Sequence, residues 1–346
     1  MPGKVRAQLL SSTFLARVGV RSPSVLVGPA LGEDAAIVSI GGGRVLVVHA
    51  DPITGAVERL GWLAIHVAAN DVAATGCKPE WFTLVVLLPE GTSDEVVDAI
   101  SRDAERALLE LEAALVGGHT EYTWGIPRPI ACATAMGVTE ESSIVKTGGA
   151  RPGDALIATK YAALEAASIL ASDYDGLLRR LGFSDEDLEA ARALIDRVSV
   201  VREALALARA GLAHSMHDPT EGGVIAGALE MALASGLRAR LRAEDVPLHP
   251  VAAEILRAAG VDPLTSLSSG CLLVAVDRER VEEALSLLSS VGVGATVIGE
   301  FVEGEPAVEL IRGGRTEVWT EAPVDGLISS EERLRKLSEE LGGGAS

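Results

Sequence analysis

The chain has 346 residues, a formal net charge of -19 and 48% hydrophobic residues. Its length exceeds the usual size of one compact core, so we expect two domains. The acidic balance repels phosphate backbones and anionic lipid, which argues against nucleic acid as a partner. No run approaches the roughly 20 apolar residues of a membrane helix. The start, Met1-Pro2-Gly3-Lys4, opens no apolar leader, so we expect a cytoplasmic protein with no membrane partner.

The first half of the chain alternates predicted strands and helices. Apolar or β-branched runs bounded by turn residues predict strands at 44–50, 82–88 and 130–138. Helical periodicity predicts a helix over 58–75, ended by Gly76, and another that begins after Ser93, a suitable N-cap. The turn-rich segment 146–154 follows, and we place the domain boundary there, with domains at 1–148 and 149–330.

The second half continues the alternation. It opens with a predicted strand at 155–159 and several amphipathic helices, and it then reaches a glycine-containing junction at 217–223 and a helix over 224–234. Further strands are predicted at 271–276, 296–298 and 307–311, with a helix at 278–288. Residues 331–346 are expected to form a C-terminal helix and a flexible tail over 342–346.

Amide and thiol side chains are scarce. Asn70 is the single asparagine and Gln8 the single glutamine. Few thermolabile amides are typical of thermophilic proteins, although codon bias in a GC-rich genome gives the same skew. Cys77, Cys132 and Cys271 lack the paired spacing of zinc or redox sites, so we expect small buried thiols in a reducing compartment.

The first predicted helix has a polar stripe. Trp62, His66 and Asn70 follow at i, i+4 and i+8, with Asp71 beside them near the C-terminal end. Polar groups on an otherwise apolar helix need water, a partner or a ligand. The stripe therefore marks this helix as a candidate for binding.

Spaced aspartates suggest a divalent cation site. Mg²⁺ prefers hard oxygen ligands and retains several waters, so a nucleotide site needs a few separated carboxylates that converge on phosphates. Asp34, Asp51 and Asp71 are suitable metal ligands, and Glu121 is a candidate fourth ligand. Each signal is weak by itself, because surface aspartates are common.

Two glycine pairs suggest phosphate contacts. Backbone N–H groups beside Gly117-Gly118 and Gly222-Gly223 can approach phosphate oxygens without a side chain in the way. The P-loop pattern and the Gly-x-Gly-x-x-Gly pattern are both absent from the sequence. We therefore do not expect a P-loop or dinucleotide-binding fold.

Several motifs, in order, resemble the aminoimidazole ribonucleotide synthetase (PurM-like) superfamily, and the likeness covers nearly the whole chain. Within the superfamily the chain is most similar to HypE-type hydrogenase maturation factors and their archaeal relatives, with selenophosphate synthetase and thiamine-monophosphate kinase as more distant kin. The motifs are Gly32-Glu33-Asp34-Ala35-Ala36, His49-x-Asp51, Asn70-Asp71-Val72-Ala73-Ala74-Thr75-Gly76, Gly117-Gly118-His119-Thr120-Glu121 and Asp218-Pro219-Thr220-Glu221-Gly222-Gly223.

The resemblance implies a two-domain PurM-like fold. The N-terminal α/β domain would dimerise through its sheet into a barrel, a C-terminal α/β domain would pack beside it, and ATP would lie in the cleft. The aspartates would hold Mg²⁺ on the triphosphate. The implied nucleotide-binding residues are His49, Asn70, Gly117, Gly118, His119 and Thr120 in the first domain and Asp218, Thr220, Gly222 and Gly223 in the second.

Two departures from HypE-type factors limit the resemblance. Those factors end in a cysteine that accepts a carbamoyl group, whereas this sequence ends in Ala345-Ser346 and has no cysteine beyond Cys271. The carbamoyl dehydration step is therefore not supported. His119 stands where maturation factors more often have an acidic residue, while selenophosphate synthetases have histidine there.

The histidines and Lys4 also have structural explanations. His119 is explained equally by a hydrogen-bonded loop position, and His49 and His66 by core histidines bonded to backbone. His214, His217 and Asp218 have a metal-like spacing, but no further ligand completes a set, and we predict no transition-metal site. Lys4 is a weak candidate for reaching the nucleotide, since a terminal lysine is usually solvated.

Three functions fit these observations. The first is an enzyme that uses ATP and Mg²⁺ to phosphorylate an oxygen of an amide, a carboxylate or a small anion. The second is a nucleotide-binding partner of hydrogenase maturation proteins with no chemistry of its own. The third is a small-molecule kinase similar to thiamine-monophosphate kinase. No catalytic residue is assigned, and a homodimer is expected from the resemblance.

Overall fold

The computed structural model describes residues 5–54 and 58–342. The chain divides into two compact units. The N-terminal unit contains the described residues of 18–29 and 33–144, and the C-terminal unit contains those of 1–17, 30–32 and 145–346. Residues 5–17, including helix α1 (Ala7–Ser12), thus belong to the C-terminal unit, although the sequence-based limits placed them in the first domain. Lys4 and the predicted tail beyond Gly342 lie outside the described residues.

The described part of the N-terminal unit forms one six-stranded sheet with two helices. The strand order is β1-β2-β3-β6-β4-β5, with β4 and β5 parallel and every other pair antiparallel. In chain order the elements are β1 (Val25–Val27), β2 (Ala36–Gly41), β3 (Arg44–Ile53), α2 (Leu60–Ala74), β4 (Trp81–Pro89), α3 (Asp94–Leu111), β5 (Ala114–Thr123) and β6 (Ile130–Glu140).

The sheet buries one face against α2 and α3. Alternate residues of β4, from Phe82 to Leu88, are buried, as period-2 alternation requires. The same face of β6 has small residues, and a Cβ on Gly137 would lie 2.1 Å from the Lys78 carbonyl oxygen. The absence of a side chain at Gly137 therefore allows the segment between α2 and β4 to lie close against the sheet.

Helices α2 and α3 also approach each other closely. A Cβ on Gly61 of α2 would lie 2.1 Å from the Ile100 carbonyl oxygen of α3. Helix α3 is amphipathic, and its Ile100, Ala104 and Ala107 are buried. Ser93 precedes α3 as predicted, but its side chain makes no capping hydrogen bond to the helix backbone.

The described part of the C-terminal unit contains a seven-stranded sheet with the order β13-β12-β9-β11-β7-β10-β8. The β12–β9 pair is parallel and the others are antiparallel. After α1 the elements are β7 (Ala155–Thr159), α4 (Leu164–Asp173), α5 (Asp175–Arg180), α6 (Asp185–Arg192), α7 (Val201–Arg209), β8 (Ser215–His217), α8 (Gly223–Ser235), β9 (Arg238–Arg242), α9 (Pro250–Ala259), β10 (Leu273–Val276), α10 (Val281–Ser290), β11 (Ala295–Val302), β12 (Ala307–Arg312), β13 (Arg315–Trp319) and α11 (Gly326–Gly342).

Two apolar clusters stabilise this unit. One lies between the sheet and α8, whose residues are buried on nearly all sides, as expected of an almost wholly apolar helix. The other joins α4, α5, α6, α9 and α11. The α/β class and the two-domain organisation predicted from the sequence are confirmed. Within the described residues, none of the helices is both long and apolar enough to cross a bilayer.

Candidate functional site

Strand β3 carries two polar residues, His49 and Asp51, just beyond the apolar core. Val45 and Val47 are fully buried on the helix-facing side of the sheet, and His49 and Asp51 continue the same alternate row. Both polar residues are only partly buried. The strand therefore places an imidazole and a carboxylate side by side where the apolar core ends.

Asp71 of α2 meets this pair. The His49 Nε2 atom lies 3.5 Å from Asp71 Oδ2, with the two side chains 26% and 14% exposed. His49, Asp51 and Asp71 each bring one ligand atom within 4.8 Å of the others. Asp34 also brings a carboxylate oxygen within 4.8 Å of one from Asp71 and is buried. The structure thus brings together the three aspartates predicted as metal ligands, with Asp71 common to both contacts.

The donor chemistry of this cluster fits Mg²⁺. Asp34 in the loop before β2, Asp51 on β3 and Asp71 on α2 offer hard carboxylate oxygens, which is the ligand type that Mg²⁺ prefers. An imidazole is a ligand for softer ions. His49 is therefore better placed to hold Asp71 in position than to bind the cation, as outer partners of metal-ligating carboxylates do.

The polar stripe on α2 has two parts with different surroundings: one part contacts α3, and the other lies beside Asp71. Trp62 Nε1 donates to Glu110 Oε2 of α3 at 2.9 Å, and His66 Nε2 lies 3.0 Å from the same oxygen. Arg106 Nε donates to the other Glu110 oxygen at 2.9 Å. These contacts tie α2 to α3, so His66 has a structural role here. Asn70, one turn further on, is fully buried next to Asp71.

Strand β5 holds the segment Gly117-Gly118-His119-Thr120-Glu121 at the sheet edge. The register aligns Asp51 of β3 with Ala133 of β6, Leu84 of β4 and Gly118 of β5. At about 4.8 Å between neighbouring strands, Asp51 and Gly118 are roughly 14 Å apart. The glycine pair and the aspartates are therefore separate groups within one chain.

Glu121 lies on the other face of the sheet. It pairs with Leu87, whereas Gly118 pairs with Leu84 on the helix-facing side, and side chains an odd number of residues apart point to opposite faces. The distance across the sheet and the alternation of the strand therefore keep Glu121 away from the aspartates of its own chain. Its role as a fourth ligand stays a prediction.

The two glycines of β5 differ in how much space their surroundings leave for a side chain. A Cβ on Gly118 would lie 2.1 Å from the Leu84 carbonyl oxygen, so the pairing with β4 excludes any side chain there. A Cβ on Gly117 would meet only Thr83 Cγ2, at an ordinary 3.6 Å. The described protein neighbours thus do not require glycine at 117, and its backbone is open to the approach of a ligand.

His119 lies on the strand rather than in a loop. Its Nε2 is 3.1 Å from Glu121 Oε2, and Thr123 Oγ1 donates to Glu121 Oε1 at 3.1 Å. The His119 hydrogen bond is the main cause that lowers the pKa of Glu121. A groove of about 840 Å³ lies between α3 and the edge strand, and its lining includes Gly117, Gly118, His119 and Thr120.

The junction 217–223 of the C-terminal unit runs from β8 into α8. Asp218 is buried, and Gly222 and Gly223 have φ values of 80° and 63° that favour glycine. The Gly222 N–H donates to Asp325 Oδ2 at 3.1 Å, and the Gly223 N–H donates to the Thr220 carbonyl oxygen at 3.1 Å. Both amides thus have protein acceptors in this structure, and phosphate contacts by them stay a prediction.

His214 and His217 each meet a carboxylate. His214 Nδ1 lies 2.9 Å from Asp154 Oδ2, and His217 Nε2 lies 2.8 Å from Glu230 Oε2. Both carboxylates belong to the same unit as the histidines. The two histidines therefore act as separate ion-pair partners here.

The sequence analysis did not identify Glu110 or Asp325, two residues that hold these sites in place. Glu110 contacts Trp62 and His66 of the α2 stripe, and its spacing of four from Arg106 on a helix was the available signal. Asp325 precedes α11, where an aspartate before a helical pattern indicates an N-cap. Its contact with Gly222, 103 residues earlier, has no sequence signal.

Comparisons with known proteins match both halves of the chain to one family. Residues 32–139 match the N-terminal domain of AIR synthase related proteins, and residues 151–311 match the C-terminal domain. A Methanocaldococcus jannaschii protein named for hydrogenase expression/formation is 26% identical, covering 86% of this chain and 88% of its own length. A selenide, water dikinase of Dechloromonas aromatica is 28% identical, with 84% and 89% covered. The carbamoyl dehydratase HypE of Rhizobium leguminosarum bv. viciae is 26% identical, with 83% of each covered.

Solved structures show the same fold. The hydrogenase maturation protein HypE in complex with ATP superposes with a TM-score of 0.70 at 22% identity, covering 93% of this chain and 96% of that one. AaThiL complexed with AMPPCP and TMP gives a TM-score of 0.69 at 21% identity, covering 90% and 94%. Matches to both domains, in the right order, show that this chain belongs to the AIR synthase related (PurM-like) family.

Proposed function

We propose that this protein uses ATP and Mg²⁺ to phosphorylate an oxygen of an amide, a carboxylate or a small anion, and thereby converts that oxygen into a leaving group. The observation that supports this most directly is the convergence of Asp34 and Asp51 on Asp71, with His49 beside it. Separated carboxylates of this kind are what a Mg²⁺–triphosphate complex requires.

The chain's own residues have distinct roles in this proposal. The three aspartates hold the cation, which when bound neutralises charge that develops on the transferred phosphoryl group. His49 restrains the Asp71 carboxylate. Asn70 is the amide donor beside the metal site. Gly117 offers a backbone that a phosphate oxygen can approach.

The raised pKa values of the cysteine thiols argue against a phosphate acceptor that is carried on a cysteine of this chain. Burial raises the pKa of both Cys77 and Cys271 to about 12. Burial also raises the pKa of Cys132, and the nearby Asp51 carboxylate adds to that shift. A thiol with a raised pKa is a poor nucleophile at neutral pH. We therefore propose that the acceptor oxygen belongs to a separate molecule or to a partner protein.

We place the activity in a HypE-like context, with hydrogenase maturation proteins as partners. The relative named for hydrogenase expression/formation and the HypE relative support that setting. The likeness to a selenide, water dikinase supports the alternative of a small-molecule kinase, of the kind that thiamine-monophosphate kinase also represents. A nucleotide-binding partner without its own chemistry is the remaining alternative.

We further propose a homodimer that forms through the N-terminal sheet. The face opposite the helices is apolar and only half-buried in one chain; it includes Leu46, Val48, Val85, Leu87 and Met136. At its margin lies the polar row of His119, Glu121 and Thr123. An apolar centre with a polar rim is the usual composition of a stable interface. In such a dimer the β5 segment of one copy can come near the aspartates of the other copy.

The test is ATP consumption measured with Mg²⁺ against a carbamoylated peptide, thiamine phosphate and selenide. Stimulation by one of them, with a phosphorylated or dehydrated product seen by mass spectrometry, identifies the acceptor class. Tight ATP binding with partner capture and no product from any acceptor favours the binding-partner alternative. Absence of ATP binding in the presence of Mg²⁺ contradicts the proposal.

A further inference from the structure

Asp325 contacts two different elements of the C-terminal unit through its two oxygens. Oδ1 accepts from the Leu327 N–H at 2.9 Å and so caps the first turn of α11. Oδ2 accepts from the Gly222 N–H at 3.1 Å, in the loop before α8. The residue is only 4% exposed. One buried carboxylate thus links the start of α11 to the loop of residues 218–223.

The Gly222 end of this loop has little conformational freedom. Gly222 has a φ of 80°, and a Cβ there would lie 2.7 Å from Ala226 Cβ. The next residue, Gly223, is equally confined, since a Cβ there would lie 2.7 Å from the carbonyl oxygens of Leu264 and Ser266. Packing therefore fixes where the Gly222 N–H points, and Asp325 is the acceptor at that position.

A second contact holds the middle of the loop. The Thr220 carbonyl oxygen accepts from the Ser268 N–H at 3.3 Å as well as from Gly223. The Ser268 hydroxyl donates to the Ser266 carbonyl oxygen and accepts from the Ala163 N–H, so Ser268 is itself fixed in place. The loop is thus held at Thr220 by the 266–268 segment and at Gly222 by Asp325.

We propose that Asp325 is a positioning residue for nucleotide binding, because it holds the Gly222 amide and thereby sets the direction of Asp218 and Thr220. This inference rests on the proposed use of ATP and on the nucleotide contacts that the family resemblance implies for Asp218 and Thr220. Asp325 does not itself contact the nucleotide in this proposal. It acts through the loop.

Capping alone does not explain a charged residue at this position. Burial raises the pKa of Asp325, and the nearby Glu221 carboxylate acts in the same direction. Asparagine and serine cap helices about as well as aspartate does. A neutral residue would therefore cap α11 without a buried charge. What the carboxylate adds is a second acceptor oxygen, and that oxygen is the one bonded to Gly222.

The experiment separates capping from loop positioning with Asp325→Asn and Asp325→Ser. Both variants keep an N-cap for α11. Asparagine in the capping orientation presents its NH₂ group to the Gly222 N–H, and serine is too short to reach it. The matched control is Asp277→Asn, since Asp277 caps a surface turn of the same unit through the Glu279 N–H at 2.9 Å.

Three measurements are made on full-length protein: affinity for Mg²⁺–AMPPCP by calorimetry, amide hydrogen exchange over 218–226, and the unfolding midpoint. We expect both Asp325 variants to bind the nucleotide at least about tenfold more weakly and to exchange faster over 218–226, as removal of an outer positioning partner typically does. Their unfolding midpoints should fall more than that of Asp277→Asn, because the buried Gly222 N–H loses its acceptor, but both variants should stay folded at the temperature of the binding measurement.

Two results would overturn the inference. One is unchanged nucleotide affinity in both Asp325 variants while the wild type binds. The other is unchanged exchange over 218–226, which rejects the link to the loop even if the wild type binds no nucleotide. Failure of the wild type to bind nucleotide contradicts the proposed function itself, so the two failures are distinguishable.

Discussion

The His49 Nε2 atom lies 3.5 Å from Asp71 Oδ2, and this contact joins the end of a strand to a helix. It links β3 and α2, which supply Asp51 and Asp71, two of the three carboxylates of the candidate metal site. The histidine is two residues from Asp51 on the same face of β3, so a single strand both provides a ligand and restrains the ligand on the helix.

Asp71→Asn should lower Mg²⁺-dependent ATP turnover by more than roughly 100-fold, since Asp71 is common to both carboxylate contacts. Mg²⁺–ATP at 100 times its Kd should stabilise the wild type by about 2.7 kcal/mol, and this gain should vanish in the variant. Phosphate release and thermal unfolding measure the two effects. The control is Asp98→Asn, an exposed carboxylate on α3 paired with Arg102. Equal turnover in Asp71→Asn and the wild type would remove the metal assignment.

His49→Gln should weaken Mg²⁺–ATP binding by about 10- to 100-fold, less than the loss in Asp71→Asn, because an outer partner orients a ligand without being one. Calorimetry with AMPPCP at several Mg²⁺ concentrations measures this. The weaker binding should be overcome at high Mg²⁺ concentration. A complete loss that no Mg²⁺ concentration restores would instead indicate direct ligation by His49.

Gly117→Ala and Gly118→Ala should behave oppositely. A Cβ at 118 meets the Leu84 carbonyl oxygen at 2.1 Å, so this variant should lose about 1–3 kcal/mol or more of unfolding free energy. A Cβ at 117 meets only a methyl group at 3.6 Å, so Gly117→Ala should stay stable and lose ATP affinity. Urea unfolding and nucleotide titration distinguish the two. Wild-type ATP affinity in Gly117→Ala would show that this glycine does not face the nucleotide.

Val85→Glu should convert the expected dimer into a monomer, because it places a charge on the half-buried sheet face opposite the helices. Sedimentation velocity gives the mass directly. Leu109→Glu, on an exposed side of α3, is the control and should leave the mass unchanged. A wild type that sediments as a monomer at all concentrations would contradict the dimer proposal.

His66 should give the N-terminal unit a pH-dependent stability. Burial lowers the pKa of His66 from 6.5, although Glu110 opposes the shift. Because the folded pKa is the lower one, the unfolded chain takes up the proton first. The free energy of unfolding should therefore begin to fall as the pH drops below about 6.5, and should stop falling below the folded pKa. Urea unfolding at pH 7.5 and 5.5 measures the loss, which should shrink in His66→Gln and grow in Glu110→Gln.

Local patterns predicted much of this fold. The strands at 44–50, 82–88 and 130–138 are present and each is longer than predicted, since apolar alternation and turn residues mark a strand's centre better than its ends. The helix predicted over 58–75 is α2 and ends before Gly76. Strands β1, β2, β5, β8, β9 and β13 were not predicted. Most of them are short segments that give too little periodicity to recognise, whereas β5 has ten residues but contains the Gly117-Gly118 pair, which is typical of a turn.

The sequence predicted which residues belong to the candidate site. It did not predict how those residues are arranged in space. Spacing and residue type identified Asp34, Asp51 and Asp71, and the fold brings them together. Nothing in the local sequence placed β6 and β4 between β3 and β5, so the separation of Glu121 from the aspartates could not be foreseen. The same holds for Asp325, whose partner is distant in sequence.

Strand β5 has a consequence for how activity depends on conditions. It is exposed along nearly its whole length, and among the described residues β4 is the one strand that pairs with it, so one neighbour rather than two holds its backbone. Edge segments of this kind open at lower free energy than the interior of a sheet and exchange their amide protons sooner. If a second copy of the chain covers β5, dilution below the dissociation constant of the dimer exposes this strand and makes its backbone more mobile. Specific activity should then rise with protein concentration until the edge is occupied.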